Sequence, residues 1–395
     1  MKKKLIVALL LMVCLATLFV GCSAKPSAPK SDDTQLRVLQ LADIQFSTKK
    51  GVPDKDKALL DALIFNTQPD LIILTGDQTS SERLGNTTLE ITKQFCDYFD
   101  SKKIKWTAVF GNHDALANEA SAKQIYEVYK ASKYFIDTEV EWEGMTQLNN
   151  EEDGITNFSL PLKDKNGKVL CNLLLLDTIA KMTGYEPFTT GQTKFYNDTY
   201  NNLKEANNGE AVPQILFTHI PLMMFNHVYI NRENKDICVD SVGENEEKKS
   251  DFDKIASSAN NVEFEEAMLV NKDIKGVFVG HDHLNYFVGN YKPFNDMNYL
   301  TKSEARHLGL TNSRVDELKG DGNYNVTLSF CRQSSYQLDA SEGYLGMTNK
   351  FVRGARVIDI KANGFETSDV LGTMVNANKN TFKVTTQSPF WTPFA

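Results

Sequence analysis

Six short apolar runs punctuate the chain: "RVLQLAD" (37–43), "DLIILTGD" (70–77), "KWTAVFGNHD" (105–114), "VLCNLLLLD" (169–177), "QILFTH" (214–219) and "IKGVFVGHDH" (274–283). Runs of this kind predict buried strands. Between them lie helical patterns. In 54–66, "DKDKALLDALIFN", Leu59, Leu60, Leu63 and Ile64 fall on one face. Residues 86–100, 118–131, 191–206 and 262–271 read similarly. Strands alternating with helices predict an α/β domain. Three later runs, 325–331, 355–360 and 381–386, add strands with no clear helix between them.

The first segment does not belong to this core. Met1-Lys2-Lys3-Lys4 is basic, and Leu5 to Val20 is apolar but shorter than the roughly 20 residues of a membrane span. It reads as an export signal over residues 1–21. Leu18-Phe19-Val20-Gly21-Cys22 resembles a bacterial lipoprotein cleavage box, so Cys22 is expected to carry a lipid and anchor the chain outside the cytoplasm. An ordinary secretory signal cut nearby is the alternative. Residues 22–35, with "SAKPSAPKSDDTQ" after the cysteine, read as a flexible polar tether. The domain proper is expected over 36–395.

At 395 residues and 41% hydrophobic, the chain can build a sizeable core. Losing residues 1–21 removes three lysines and no acids, so the formal charge of −8 becomes −11. That balance argues against a nucleic-acid-binding surface, which needs Lys and Arg. Cys96, Cys171, Cys238 and Cys331 lie far apart and show no paired metal spacing.

Five of the six runs end in, or run directly into, a metal-capable residue: Asp43, Asp77, Asn112, His219, and the pair His281 and His283. Asp177 is the exception. In open α/β sheets ligands bind beyond the carboxyl ends of the strands, so these residues can meet at one site. Imidazole suits zinc, iron or manganese, and carboxylate suits the harder of these. A carboxylate between two ions can bridge them, and Asp77 in "TGDQ" is the candidate.

Asp43, Gly76-Asp77, Gly111-Asn112-His113-Asp114, Thr218-His219 and Gly280-His281-Asp282-His283 together resemble the calcineurin-like metallophosphoesterases. All five blocks stand in that family's order, over residues 36 to about 360. The longer forms "LQLADIQF", "DLIILTGDQ", "FTHIPL", "GHDHLNYF", "CRQSSY" and "ARVIDI" look most like its purple-acid-phosphatase-like branch. The resemblance implies a four-layer α/β/β/α sandwich and a two-metal site. One ion would be held by Asp43, Asp77 and His283. The other would be held by Asp77, Asn112, His219 and His281. His113 would protonate the leaving group, with Asp114 orienting its ring. The ions would be divalent Mn, Fe or Zn, and the substrate a phosphate ester. Monoester and diester substrates, and a binding lipoprotein without turnover, all remain open.

Gln45 stands where the family pattern Asp-x-His has histidine. Its amide oxygen is a weak, neutral ligand, so the first site is expected to be looser. Gln78-Thr79-Ser80 follows Asp77, where the purple enzymes carry a tyrosine ligand, so no charge-transfer colour is expected. Residues 223–261 read as a long polar insert able to cover the substrate. Arg332, Tyr336 and Tyr344 lie in a loop. Arg332 and Tyr344 are candidate substrate contacts, and a surface ion pair is the alternative for Arg332. His227 and His307 are assigned no site role, and "GQTKF" (191–195) reads as structural.

Overall fold

A computed structural model describes residues 26–394 apart from 117–119, 179, 182–183, 186–187, 231–254, 259–260, 284, 294–323 and 338–352. Strands β1 (Leu36–Leu41), β2 (Leu71–Thr75) and β3 (Lys105–Val109) are linked by helices α1 (Asp54–Thr67), α2 (Ser81–Leu84) and α3 (Thr88–Lys102). Helix α4 (Ala122–Lys130) precedes β4 (Thr146–Asn150), β5 (Gly154–Lys163) and β6 (Val169–Leu175). Next come the short pair β7 (Ala180–Lys181) and β8 (Gly184–Tyr185), α5 (Thr190–Ala206), β9 (Gln214–Phe217) and α6 (Met224–Ile230). Then follow α7 (Val262–Asn271), β10 (Ile274–Val279), β11 (Val288–Tyr291) and β12 (Val326–Phe330). The last strands are β13 (Arg353–Lys361), β14 (Gly364–Asn376), β15 (Thr381–Thr386) and β16 (Phe390–Pro393).

Two sheets result. The first runs β15-β14-β13-β1-β2-β3, with β16 also on β14. Its β1, β2 and β3 are parallel, and β13 lies antiparallel on β1. The second runs β11-β12-β10-β9-β6-β5-β4, with β6, β9, β10 and β12 parallel. The period of two in a strand decides the layering. Leu173, Leu175, Ile215, Phe217 and Phe278 of the second sheet join the core shared with the first sheet and helices α1, α3 and α4. Their neighbours Leu174, Leu216, Val277 and Val279 join a second core with Tyr196 of α5, Phe225 of α6 and Phe264 and Met268 of α7. Phe278 and Phe365 meet edge-on across the two sheets, centroids 5.7 Å apart. With both faces of the second sheet buried, the order is helix, sheet, sheet, helix: the α/β/β/α sandwich.

The predicted helix 86–100 breaks into a one-turn 3₁₀ helix at Gly85–Thr87 and α3. The one predicted over 118–131 starts at Ala122, where Ser121 and Gln124 form a capping box. The β4–β5 hairpin and the long β14 carried no separate sequence prediction. Cys96, Cys171 and Cys331 are buried free thiols.

Two expectations about loose segments are corrected. The expected tether runs through residue 35, yet residues 27–35 lie against the domain. The Arg37 guanidinium donates to the carbonyls of Ala28 and Pro29 at 2.6 and 3.3 Å, and Ala28 N–H donates to the Asn66 carbonyl. The insert drawn over 223–261 begins as α6, whose Phe225 and Val228 are core residues. Its residues 231–254 fall outside the described part, as do Cys22, Cys238, His307 and Tyr344.

Candidate metal centre

The parallel strands of both sheets end at one edge, and their next residues converge there. Asp43 follows β1, Asp77 follows β2, Asn112 follows β3, His219 follows β9, and His281 and His283 follow β10. The backbone is bent hard to do this. Asp43, Gln45, Asp77 and His281 all have positive φ, at 53°, 46°, 54° and 73°. Such conformations cost of order 1–3 kcal/mol each in non-glycine residues and persist where surrounding structure enforces them. Four of the other five positive-φ residues of this kind, Gln68, Lys103, Lys272 and Asn380, are helix C-caps, the last of a 3₁₀ turn. The block glycines serve proximity as well as turning. A Cβ on Gly76 would stand 2.3 Å from the His219 ring, and one on Gly111 2.2 Å from Asp77 Oδ1.

Donor atoms of Asp77, His219 and His281 lie within 4.8 Å of one another, and so do those of Asp43, Asp77 and His283. Asp77 is common to both groups. His219 Nε2 is 3.2 Å from Asp77 Oδ2 and 3.1 Å from Asn112 Oδ1, which brings Asn112 into the first group. His283 Nε2 is 3.3 Å from Asp43 Oδ1. His219 Nδ1 faces the Thr75 carbonyl at 2.8 Å, so that nitrogen carries the hydrogen. Nε2 then meets two oxygen acceptors, an arrangement that needs a proton or a cation between them. In the metal-free chain it is a proton. Burial alone would lower His219, but the Asp77 charge and hydrogen bond outweigh it and hold the ring at about 10. Asp77 shows the converse: burial would raise it, and His219 and His113 hold it well below the usual carboxylate range. The donor set therefore fits divalent ions, with imidazole and carboxylate in each group.

Gln45 differs from its expected role. It donates Nε2 to Asp77 Oδ2 at 3.0 Å, and Nε2 stands 3.2 Å from His283 Nε2. The amide nitrogen, not the oxygen, faces the group. A half-turn of the amide exchanges the two, which a cation in place of the hydrogen bond would favour.

Asp114 also differs from its expected role. Its carboxylate does not reach the His113 ring but accepts backbone N–H from Asp77, Gly111 and Thr79, at 2.8, 2.8 and 2.9 Å. It ties the loop after β3 to the loop after β2. Burial and the Asp77 charge push it up to about 7 against those donors. The ring of His113 is held instead by Glu82 of α2, whose Oε1 is 2.9 Å from Nδ1. Ser81 fixes the same residue from below, its N–H and hydroxyl both donating to the His113 carbonyl. Sequence reasoning missed Ser81 and Glu82. The available signal was their place four and five residues after Asp77, on the helix that starts at the site.

Asp177, the exceptional strand end, accepts N–H from Phe110, Ile155 and Thr156, and so braces the approach to Gly111. Asp282 of "GHDH" caps Ala256 N–H and the Asn285 amide. Arg332 is a buried ion pair rather than a surface one. Its Nε donates to both oxygens of Asp369 at 3.0 and 2.8 Å, and its guanidinium lies 3.4 Å from the Tyr286 ring centre. Tyr336 packs under Lys55 and against Phe382. Gln192 of "GQTKF" donates to Asn157 and the Asp177 carbonyl, a structural tie.

Residues 36–285 match the family model of the calcineurin-like phosphoesterases. The chain belongs to that family. The chain is 26% identical over 297 residues to the Arabidopsis thaliana protein named probable inactive purple acid phosphatase 29, covering 66% of this chain and 70% of the relative. It is 22% identical to probable inactive purple acid phosphatase 14 of the same plant, covering 70% and 73%. Among solved structures, a dimetal phosphatase from Danio rerio shares the fold, with a TM-score of 0.51 at 9% identity, over 90% of this chain and all of that one.

Proposed function

We propose that this chain is a metal-dependent phosphoester hydrolase acting outside the cytoplasm, anchored through a lipid on Cys22. The observation that carries the hydrolase reading is Asp77, which lies in both donor groups. Asp43, Asp77 and His283, with Gln45 beside them, would hold one divalent ion. Asp77, Asn112, His219 and His281 would hold the other. When bound, the pair supplies charge to clamp a phosphate and to make water nucleophilic near neutral pH. His113 donates a proton to the leaving alkoxide. Glu82 keeps its ring aimed, and Asp114 fixes the loop it stands on. Export and lipidation rest on the basic start, the apolar run and the Gly21-Cys22 step.

The names of the plant relatives favour a second reading, a binding lipoprotein without turnover. The Glu82–His113 pair argues against it, because a binder has no use for an aimed proton donor. The two readings part on one preparation. The chain, purified without chelator, should hold two ions and cleave an aryl phosphate. One tight ion, with turnover restored by added Mn²⁺, would place the weakness at Gln45. Bound metal without turnover on mono- or diesters would establish the binder instead.

A further inference from the structure

The metal centre and the anchored end of the chain lie at opposite ends of β1. Residues 27–35 dock at the amino end of β1 and β2. Ser27 N–H donates to the Asn66 side chain, Lys30 pairs with Asp70 at 2.5 Å, and Asp33 pairs with Lys361 at 3.1 Å. Arg37, buried beneath, binds the Ala28, Pro29 and Thr67 carbonyls together with Asp359. These bonds fix where the chain leaves the domain. From Arg37, β1 runs directly to Asp43, a rise of roughly 20 Å at about 3.3 Å per residue.

From this we infer that the metal centre faces away from the membrane that carries the chain, so its substrates are soluble phosphate esters and not phospholipids of that bilayer. The inference rests on the lipid anchor and on the hydrolase reading proposed above. Two lengths decide it. From Cys22 to Ser27 there are five residue steps, which span at most about 18 Å even fully extended. Turning the strand-end face down onto the bilayer would lift the docked segment roughly 20 Å or more above it. The free length is too short for that, and the docked residues leave no further slack. A longer undocked tether would allow either orientation, and the docking of residues 27–35 removes that freedom.

The test uses the full lipidated chain in vesicles of phosphatidylethanolamine and phosphatidylglycerol that contain a headgroup-quencher lipid. A fluorophore is placed through an azide-bearing amino acid at Asp32, beside the anchor, or at Lys50, beyond Phe46 at the site end; both are exposed. The Asp32 probe should be quenched several-fold more strongly than the Lys50 probe. Equal quenching, or stronger quenching at Lys50, overturns the inference. Failure of the chain to sediment with vesicles, or sedimentation unchanged by Cys22→Ser, overturns the anchor reading and the inference with it. If neither a soluble aryl phosphate nor detergent-dispersed phosphatidic acid is cleaved, the hydrolase reading fails, and the quenching contrast still decides the orientation. If detergent-dispersed phosphatidic acid is cleaved, the same lipid in the carrying vesicles should be spared, until about 20 Gly/Ser residues are inserted between Lys25 and Pro26. Cleavage there without the insertion overturns the substrate claim.

Discussion

The two ends of the parallel strands both bury charge, and they satisfy it by opposite means. At the amino ends Arg37 holds Asp359 through two bonds of 2.7 Å, and its own N–H donates to Asp70. Asp359 and Asp70 each have a cation from within the chain, Arg37 and Lys30. At the carboxyl ends, Asp43 and Asp77 are partnered among the described residues only by histidines, Gln45 and backbone N–H groups. The positive-φ residues at this end, Asp43, Gln45, Asp77 and His281, stand in the donor cluster itself, whereas those at the amino ends, Gln68, Lys103 and Lys272, only close helices. Acids neutralised in place make a fastener. Acids crowded with imidazoles at strained backbone make a receptacle for cations from outside.

Exchanging groups at each end should therefore produce different kinds of loss. The largest effect is expected from Asp77→Asn, which removes the carboxylate shared by both donor groups. Turnover should vanish and bound metal should fall below two ions per chain, while far-ultraviolet circular dichroism stays unchanged; full turnover would sink the assignment. His113→Ala comes next. Alkyl phosphate turnover should fall about 10²–10⁴-fold, with metal content retained and much less loss on nitrophenyl esters, whose leaving group needs no proton. At the fastener, Arg37→Ala leaves Asp359 without its cation, and breaking a buried pair this way costs about 3–5 kcal/mol. Urea unfolding should show that loss, with turnover per folded molecule unchanged. A drop in metal content in the same variant would mean that the two ends are coupled.

Much of the receptacle was legible in the sequence, because each donor follows an apolar run and strand order brings run ends together. Asp43, Asp77, Asn112, His219, His281 and His283 all converge where the strand pattern placed them. The fastener was not legible. The docking of residues 27–35 uses the carbonyls of Ala28 and Pro29, which every residue type possesses, so composition could not distinguish a docked segment from a free one. Glu82 and Asp369 were missed for a related reason. Each is a common acid whose partner is 31 or 37 residues away, and no local period encodes such a pairing. Asp114 illustrates the reverse error: neighbouring His113 in sequence, it turns to backbone donors instead.

The receptacle also has a signature in pH. His219 is held up at about 10 in the metal-free chain, above the ordinary histidine value of 6.5. Its contribution to the metal-free fold is thus complete below about pH 6.5 and is lost as pH rises through about 10. An entering ion must displace that proton. Metal affinity should rise about tenfold per pH unit between 7 and 9, with about one proton released. Calorimetry in two buffers of different ionisation enthalpy reads the proton directly, and a pH-independent affinity would remove the proton from this account.

The smallest effect separates aim from charge. Glu82 and His113 are each about one-third exposed, so solvent screens their attraction and the pair adds little to stability. What Glu82 supplies is a fixed acceptor for Nδ1. Glu82→Gln keeps an acceptor oxygen and should lower kcat on alkyl phosphates only a few-fold. Glu82→Ala removes it and should cost about tenfold or more, with KM unchanged in both and nitrophenyl esters nearly unaffected. In the His113→Ala background, Glu82→Ala should cost nothing further, because residues that act through one another are not additive. Equal losses on alkyl and nitrophenyl esters would show that Glu82 merely supports the loop. In that case His113 would be aimed by the two Ser81 bonds to its carbonyl.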